Sequence, residues 1–353
     1  MNAFRWGIFG TGEVARKFAL GLRSVPGAEA AWIASREEGR AAALARRVGV
    51  GRGIGGYEAA AREGADAIYI ATPAALHAEH ALACLAARTP VLVEKPFAAD
   101  AASARRIAEA ARAAGVFCME AMWTRFLPAL EAARAALAAG EIGTPRLLTA
   151  EFCIASARAG APGLFDPAPG AGALFQRGVY PFSLAVHLLG WPERVEGVAR
   201  LGENGIDEEC ALTLVHPGGA LSQLRASLTA TGTNGLEILG DAGALAFAGP
   251  IWRPFGIRLR RFAPRGGGGG GGKLADLRES GLAQRLQQRL SALRAPRWTL
   301  RRAPCDGNGY GHEAAELMAR VRAGERESPL MPLDESVRVV AALDALREGW
   351  SAP

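Results

Sequence analysis

"FRWGIFGTGEVARKFALGLRSV", residues 4–25, sets a short apolar run against a glycine turn and then a helical pattern. FRWGIF reads as a buried strand, and EVARKFALGL repeats its apolar positions at the spacing of one helix face. Between them stands Gly10-Thr11-Gly12-Glu13-Val14-Ala15, a GxGxxA. A turn that grips a pyrophosphate needs small residues there. One glycine makes the tight turn, a second lets the backbone approach the phosphates, and a small third residue lets helix and strand pack. The helix N-terminus then offers free N–H groups and its dipole to an anion. A plain packing turn uses the same glycines, but the position between a strand and a helix selects the dinucleotide reading.

Working outward, the second strand, EAAWIAS, ends at Ser35-Arg36. A carboxylate near this position normally grips a ribose 2′-hydroxyl. A hydroxyl and a guanidinium suit a 2′-phosphate instead, so the cofactor expected is NADP, with NAD the other option. The plain alternative is that Arg36 begins a solvated helix. Further strands follow in ADAIYIATP (65–73) and PVLVEKP (90–96), separated by the helical ALHAEHALACLAA. This alternation predicts a parallel doubly wound sheet, which binds ligands beyond the carboxyl ends of its strands. Ala71-Thr72-Pro73, Glu94-Lys95-Pro96 and Glu120-Ala121-Met122 fall at such ends. A lysine ending a buried strand is costly to leave unpaired, so Lys95 is expected to face something polar, in the plainest case an acid.

The chain has 353 residues, half of them hydrophobic and 22% charged, which suits two globular domains. No apolar stretch has the length of a membrane span, and the N-terminus enters the first strand without a signal-peptide layout. Five scattered cysteines without a CxxC pair argue against disulfides or zinc and for a cytoplasmic protein. No metal is expected, and neither HExxH nor GxSxG occurs. The net charge of +6 is uneven, because residues 253–302 carry thirteen Lys/Arg against two acids. One segment is basic and the remainder is mildly acidic.

Later in the chain, "GALFQRGVYP" (172–181) places Gln176 and Tyr180 four residues apart, on one helical face. A phenol can pass a proton. A primary amide, under ordinary conditions, does not.

At these residues the sequence resembles the glucose-fructose oxidoreductase / inositol dehydrogenase / rhizopine-catabolism (Gfo/Idh/MocA) family. The resemblance is carried by GIFGTGEVA, DAIYIATPAALHAEHALACL, VEKP, MEAMWTRFLP, GEIG and GALFQRGVYPFSLAVHLLG. The tail NGYGHEAAELMARVRAGERESPLMPLDES is most similar to the dimeric dihydrodiol dehydrogenases and NADP-dependent xylose dehydrogenases. The resemblance implies a Rossmann domain over residues 1–120. An α+β domain with a large, mostly antiparallel sheet would follow over 121–353, carrying an insertion at about 264–303. It also implies a homodimer formed through the sheet. RLLTAEFCI, ECALTLVH, ALSQLRASLTA, GLEILG and GALAFAG independently read as half-buried strands.

The same resemblance implies an NADP(H)-dependent oxidoreductase acting on a sugar, polyol or vicinal diol. Lys95 carries over as the family's EKP lysine, with Glu94 and Pro96 holding its turn. Tyr180 carries over as general acid/base, where inositol-type members have histidine. A free phenol titrates near 10, and an adjacent Lys95 ammonium is expected to lower that value. Cofactor contacts are expected from Gly10, Thr11, Gly12, Glu13, Val14, Ser35, Arg36, Ala71, Thr72, Pro73, His77, Glu94 and Lys95. Trp123, Arg125, Gln176 and Tyr180 are expected to line the substrate pocket, with packing where the domains join as the plain alternative for Trp123 and, less so, Arg125. The family pattern D-x-G-x-[HY] is broken at Gln176, and Ala74 stands where asparagine is common. Gln176 brings hydrogen bonds without charge. It therefore also supports another reading, a nucleotide-binding sensor or scaffold with lost or altered turnover.

Residues 266–272 are seven consecutive glycines, a flexible linker by composition. KLADLRESGLAQRLQQRLSALR after them is an amphipathic basic helix. It lacks aromatic interleaving and any nucleic-acid motif, so a surface helix is expected, with neither nucleic acid nor membrane as partner.

Overall fold

The computed structural model describes residues 3–160, 162–262 and 297–350, together with Gly281 and Arg285. The seven glycines and, but for those two positions, the expected basic helix lie outside the described residues.

Short apolar runs make the first sheet. Its strands are β1 (Phe4–Phe9), β2 (Ala28–Ser35), β3 (Gly53–Gly55), β4 (Ala67–Ile70), β5 (Val91–Glu94) and β6 (Cys118–Ala121). β4, β5 and β6 bury every side chain on both faces, as a parallel sheet covered by helices requires. The order is β3-β2-β1-β4-β5-β6, all parallel, so the winding reverses between β1 and β4. Helices α1 (Glu13–Gly21), α2 (Glu38–Val48), α3 (Tyr57–Ala60), α4 (His77–Ala86) and α5 (Ala101–Ala114) alternate with these strands. This is the Rossmann arrangement, with its ligand crevice at the reversal.

The second sheet has eight strands among the described residues, in the order β14-β13-β12-β11-β7-β10-β9-β8. They are β7 (Pro145–Cys153), β8 (Arg194–Leu201), β9 (Asp207–Val215), β10 (Leu221–Ser227), β11 (Leu236–Gly240), β12 (Gly243–Phe247), β13 (Gly256–Arg261) and β14 (Thr299–Arg302). Every neighbouring pair is antiparallel except β7 with β10. Burial alternates along β10, so one face is packed and the other open. Three helices lie between β6 and β8, α6 (Pro128–Ala138), α7 (Pro162–Phe165) and α8 (Val179–Leu189), of which α6 and α8 pack on the sheet. α8 is apolar almost all round, VYPFSLAVHLL, as befits a helix buried between layers.

Two features depart from the sequence expectation. β14 lies within the segment assigned to the insertion, so the sheet resumes before residue 303. The last helices, α9 (Gly311–Arg322) and α10 (Leu333–Trp350), also return to the first domain. The Ala101 N–H donates to the Asp344 carboxylate at 3.1 Å, the Cys118 N–H to the Arg326 carbonyl at 3.2 Å, and Arg112 pairs with Asp334 at 2.8 Å. The end of the chain therefore buttresses the Rossmann sheet on which the site is built.

Candidate active site

The glycine loop forms a cradle. Gly10 has φ +109°, and a side chain there would run into the Ala71 carbonyl. Its N–H donates to the Ala34 carbonyl at 2.9 Å, so the turn is clamped between two strands. Gly12 begins α1 without any side-chain cap, and a Cβ on it would meet nothing within 4 Å. The open space and the uncapped N–H groups fit a pyrophosphate. The Glu13 carboxylate is drawn to Arg16 at 2.6 Å, and that bond holds it below its usual range. The first N–H groups of α1, from Glu13 on, therefore have no side-chain partner at that end. At the end of β2, Ser35 is buried and Arg36 is exposed. Arg36 and Arg40 both act electrostatically on the Tyr57 phenol, so two guanidiniums gather at this edge. Their charge fits a 2′-phosphate.

Strand ends β4 and β5 supply the next wall. The Thr72 hydroxyl lies 2.9 Å from His80 Nδ1. His77, expected beside the nicotinamide, instead has Nδ1 at 2.9 Å from the Pro96 carbonyl and Nε2 at 2.9 Å from the Thr72 carbonyl. Burial pushes its ring down to about 4, against the pull of both carbonyls. His77 is thus a clamp joining the two strand-end loops, and its ring offers nothing to a ligand in this arrangement.

The Glu94-Lys95-Pro96 turn is pinned from beneath. Glu94 accepts from the Tyr69 hydroxyl and, at 3.0 Å, from the Lys95 N–H. The Phe97 N–H donates to the Glu120 carboxylate at 3.1 Å. Burial raises Glu94 against the opposing pull of Lys95, and lowers Lys95 against the pull of Glu94. Burial also pushes Glu120 up to about 7. Lys95 Nζ donates at 3.1 Å to the main-chain carbonyl of Gln176 and stands 5.1 Å from the centroid of the Tyr180 ring.

That carbonyl is presented by a π-helical turn, Leu174–Gly178. Wide turns of this kind are frequent at functional sites. Asp207 anchors it by accepting from the Leu174 N–H at 2.6 Å, and Gly172, at φ +90°, leaves room for that carboxylate. The Gln176 side chain turns the other way, donating to the Gly170 carbonyl at 2.6 Å. The amide expected to contact substrate is therefore held by its own loop, while the peptide oxygen of the same residue meets the lysine.

Tyr180 sits in the first turn of α8. Its oxygen accepts from Trp123 Nε1 at 3.3 Å, leaving the phenolic hydrogen free to be donated. Burial chiefly, then the Glu94 carboxylate, raise this phenol above its ordinary value. This corrects the expectation that Lys95 would lower it, because the ammonium lies against the ring face within a low-dielectric site. Phe152 packs on Tyr180 at 5.1 Å and Trp252 on Phe152 at 4.6 Å, while Tyr310 stacks on Trp123 at 4.7 Å. Arg125 is also corrected. Its side chain is wholly buried, donating to the Ser183 hydroxyl at 2.7 Å and the Ser183 carbonyl at 2.9 Å, and pairing with Glu335. It ties the segment after β6 to α8 and α10 and does not line the cleft.

Several contributors were missed in the sequence. Phe152, Trp252, Tyr310 and Asp207 come from remote strands, loops and the tail, with no shared spacing to betray them. Glu120 carried a signal, since it stands at a strand end. Among the described residues no group of three His, Cys, Asp or Glu could hold a metal ion, and no helix is long and apolar enough to cross a membrane.

Residues 4–122 match the description "Oxidoreductase family, NAD-binding Rossmann fold" of Gfo/Idh/MocA, and residues 130–246 match the Gfo/Idh/MocA C-terminal domain. Trans-1,2-dihydrobenzene-1,2-diol dehydrogenase of Mus musculus is 34% identical over 351 residues, covering 98% of this chain and 96% of its own. The same enzyme of Sus scrofa is 29% identical with equal coverage. A 3-ketoreductase from Actinomadura kijaniata, solved with NADP and TDP-benzene, is 25% identical. It superposes with a TM-score of 0.80 over 99% of this chain and 98% of its own. An aldose-aldose oxidoreductase from Caulobacter crescentus shares the fold at a TM-score of 0.80 with 18% identity, over 99% and 98% of the two chains.

Proposed function

The chain belongs to the Gfo/Idh/MocA oxidoreductase family, and on that premise we propose an NADP(H)-dependent enzyme interconverting a hydroxyl and a carbonyl on a sugar, polyol or vicinal diol. The observation that carries this reading is the Lys95 ammonium against the Tyr180 ring, 5.1 Å from its centroid, at the carboxyl ends of the Rossmann strands. The glycine cradle with Thr11 to Val14 would hold the pyrophosphate, Ser35 and Arg36 the 2′-phosphate, and Ala71 to Pro73 with Glu94 and Lys95 the nicotinamide side. When bound, the cofactor supplies the hydride chemistry.

The protein manages the proton. Tyr180, a buried neutral phenol whose oxygen already accepts from Trp123, holds the reacting oxygen by a hydrogen bond and keeps its own proton. Lys95, whose ammonium burial disfavours, exchanges the proton. The Gln176 carbonyl keeps the lysine in place and adds no further anion to the pull of Glu94 on its charged form. The sensor reading rested on the neutral Gln176 side chain. That side chain is engaged with Gly170, and the lysine has another anchor.

A homodimer through the open sheet face accompanies this proposal. That face carries a concavity of about 1080 Å³ lined by Thr149, Thr213, Gln223 and Arg225, and Leu221 is 40% exposed on β10. A cytoplasmic location is supported by five cysteines that are all free. The test is to follow nicotinamide absorbance with NADP and NAD over a panel of sugars, polyols and diols. No turnover with any of them, in a protein that binds NADP, would overturn the enzyme reading.

A further inference from the structure

We infer that Arg253 is a specificity residue, reading a carboxylate or phosphate on the substrate away from the reacting carbon. The inference rests on the oxidoreductase reading above and deepens it. The basic side chains around the cleft do not share one role. Lys95 is held by the Gln176 carbonyl. Arg125 is enclosed by Ser183 and Glu335. Arg177 donates to the Ile154 and Ser227 carbonyls and to the Ser156 hydroxyl. Among the described residues, the Arg253 guanidinium has neither a hydrogen bond nor an ion pair. It lies instead over the face of Trp123, 6.0 Å from the ring centroid.

Trp123 is the side chain that donates to the Tyr180 oxygen, so the free guanidinium stands one indole away from the phenol that holds the reacting oxygen. Its charge also reaches the neighbouring Tyr310, where it opposes the rise that burial imposes on that phenol. The carboxylates of the site, Glu94, Glu120 and Glu313, are all buried, so none is available at the surface to neutralise it.

The arginine is also well presented. It lies in the loop between β12 and β13, flanked by buried Ile251 and Pro254. The Ile251 N–H donates to the Asn234 carbonyl at 2.8 Å and the Arg253 N–H to the Pro250 carbonyl at 2.9 Å. A following proline restricts the backbone of Arg253 further. Trp252 beside it stacks on Phe152, which packs on Tyr180. A rigid loop offering an unpaired planar cation beside an aromatic wall suits bidentate recognition of a carboxylate or phosphate. A neutral sugar can accept hydrogen bonds from such a group but offers it neither an opposite charge nor a bidentate acceptor.

The test compares glucose, glucuronate and glucose phosphorylated at its terminal hydroxyl, in wild type, Arg253→Gln and Arg253→Lys. Both kcat/KM and calorimetric binding to the NADP-loaded protein are measured. Wild type should favour one or both anionic sugars, with the preference weakening in salt. Arg253→Gln should weaken them roughly tenfold through KM, leaving glucose unchanged, and Arg253→Lys should fall between. The better of the two anionic probes tells a carboxylate site from a phosphate site. Equal binding of neutral and anionic probes in wild type, or an equal loss on all three in Arg253→Gln, would overturn the inference while leaving the oxidoreductase reading in place. Charge-selective binding without any turnover would have the opposite consequence.

Discussion

Lys95 places its ammonium over Tyr180 at 5.1 Å from the ring centroid, and not at the phenolic oxygen. The two groups therefore divide the proton work. The ring face stabilises the cation weakly, whereas burial lowers the proton affinity of the lysine and raises that of the phenol. The lysine becomes the group that readily gives up and regains a proton, and the tyrosine the group that keeps its own and points it.

Lys95→Met keeps the length of the side chain and removes the ammonium. Turnover should fall by roughly two to four orders of magnitude, the usual size of a lost acid–base group. NADPH affinity, read by fluorescence titration, should stay within a few-fold, because the glycine cradle is elsewhere. Retention of wild-type turnover would remove Lys95 from the mechanism.

Gln176→Asp restores the carboxylate of the family pattern. An aspartate cannot donate to the Gly170 carbonyl, so that 2.6 Å bond is lost and the new anion is free to turn toward Lys95. An added anion favours the ammonium, so the lysine's proton affinity rises toward its ordinary value. The limb of the pH–rate profile for alcohol oxidation that requires neutral lysine should move to higher pH by about one unit. An unchanged profile with unchanged activity would mean that the neutral residue does nothing to tune Lys95.

The strand–glycine–helix start and the strand ends were legible because a parallel sheet writes its burial as continuous apolar runs. The strands β7, β9, β10 and β11 were legible by alternation, and β12, buried at every position, as an apolar run between turn signals. β13 and β14, GIRLRR and TLRR, were hidden because their arginines read as part of a basic segment. Charged side chains suit the edge of a sheet, where they discourage further pairing, so in β14, the edge strand, the feature that hid it belongs to its position, while β13 lies next to that edge between β12 and β14. Lys95 and Tyr180 were legible by type and place. The direction of the Gln176 side chain and the burial of Arg125 were not, because both depend on partners remote in sequence, Asp207 through the π-helical turn and Glu335 on α10.

Arg125→Ala should destabilise the fold without altering substrate selectivity. Removing a buried guanidinium leaves Glu335 and the Ser183 carbonyl without their partner, a loss of about 3–5 kcal/mol for a broken buried pair. Thermal unfolding should show it, and the same protein assayed well below its melting temperature should keep its KM ratio between substrates. A selective rise of KM for one substrate would return Arg125 to the pocket.

Arg36→Ala should change the choice of cofactor. The guanidinium is exposed at the end of β2, so a bond to a 2′-phosphate there is partly screened. NADP affinity should fall roughly tenfold while NAD affinity stays level, since NAD has no group at that position. Equal losses for both nucleotides would mean that Arg36 supports the loop and does not read the phosphate.

Glu120 links the site to stability. Burial holds this carboxyl at about 7 in the folded protein, above the ordinary 4.5, while it still accepts from the Phe97 N–H beneath the lysine turn. The folded chain then binds this proton more tightly than the unfolded chain. Its contribution is fully present below about 4.5 and is lost as pH rises through about 7. Glutamine at this position can still accept from Phe97 and has no charge to bury. Glu120→Gln should therefore gain stability relative to wild type on going from pH 5 to pH 8, by up to about 3 kcal/mol. Denaturant unfolding of both proteins at the two pH values measures the difference. A gap that stays constant with pH would show that the folded state holds Glu120 at its ordinary proton affinity, with its charge compensated by Arg125 and Ser336.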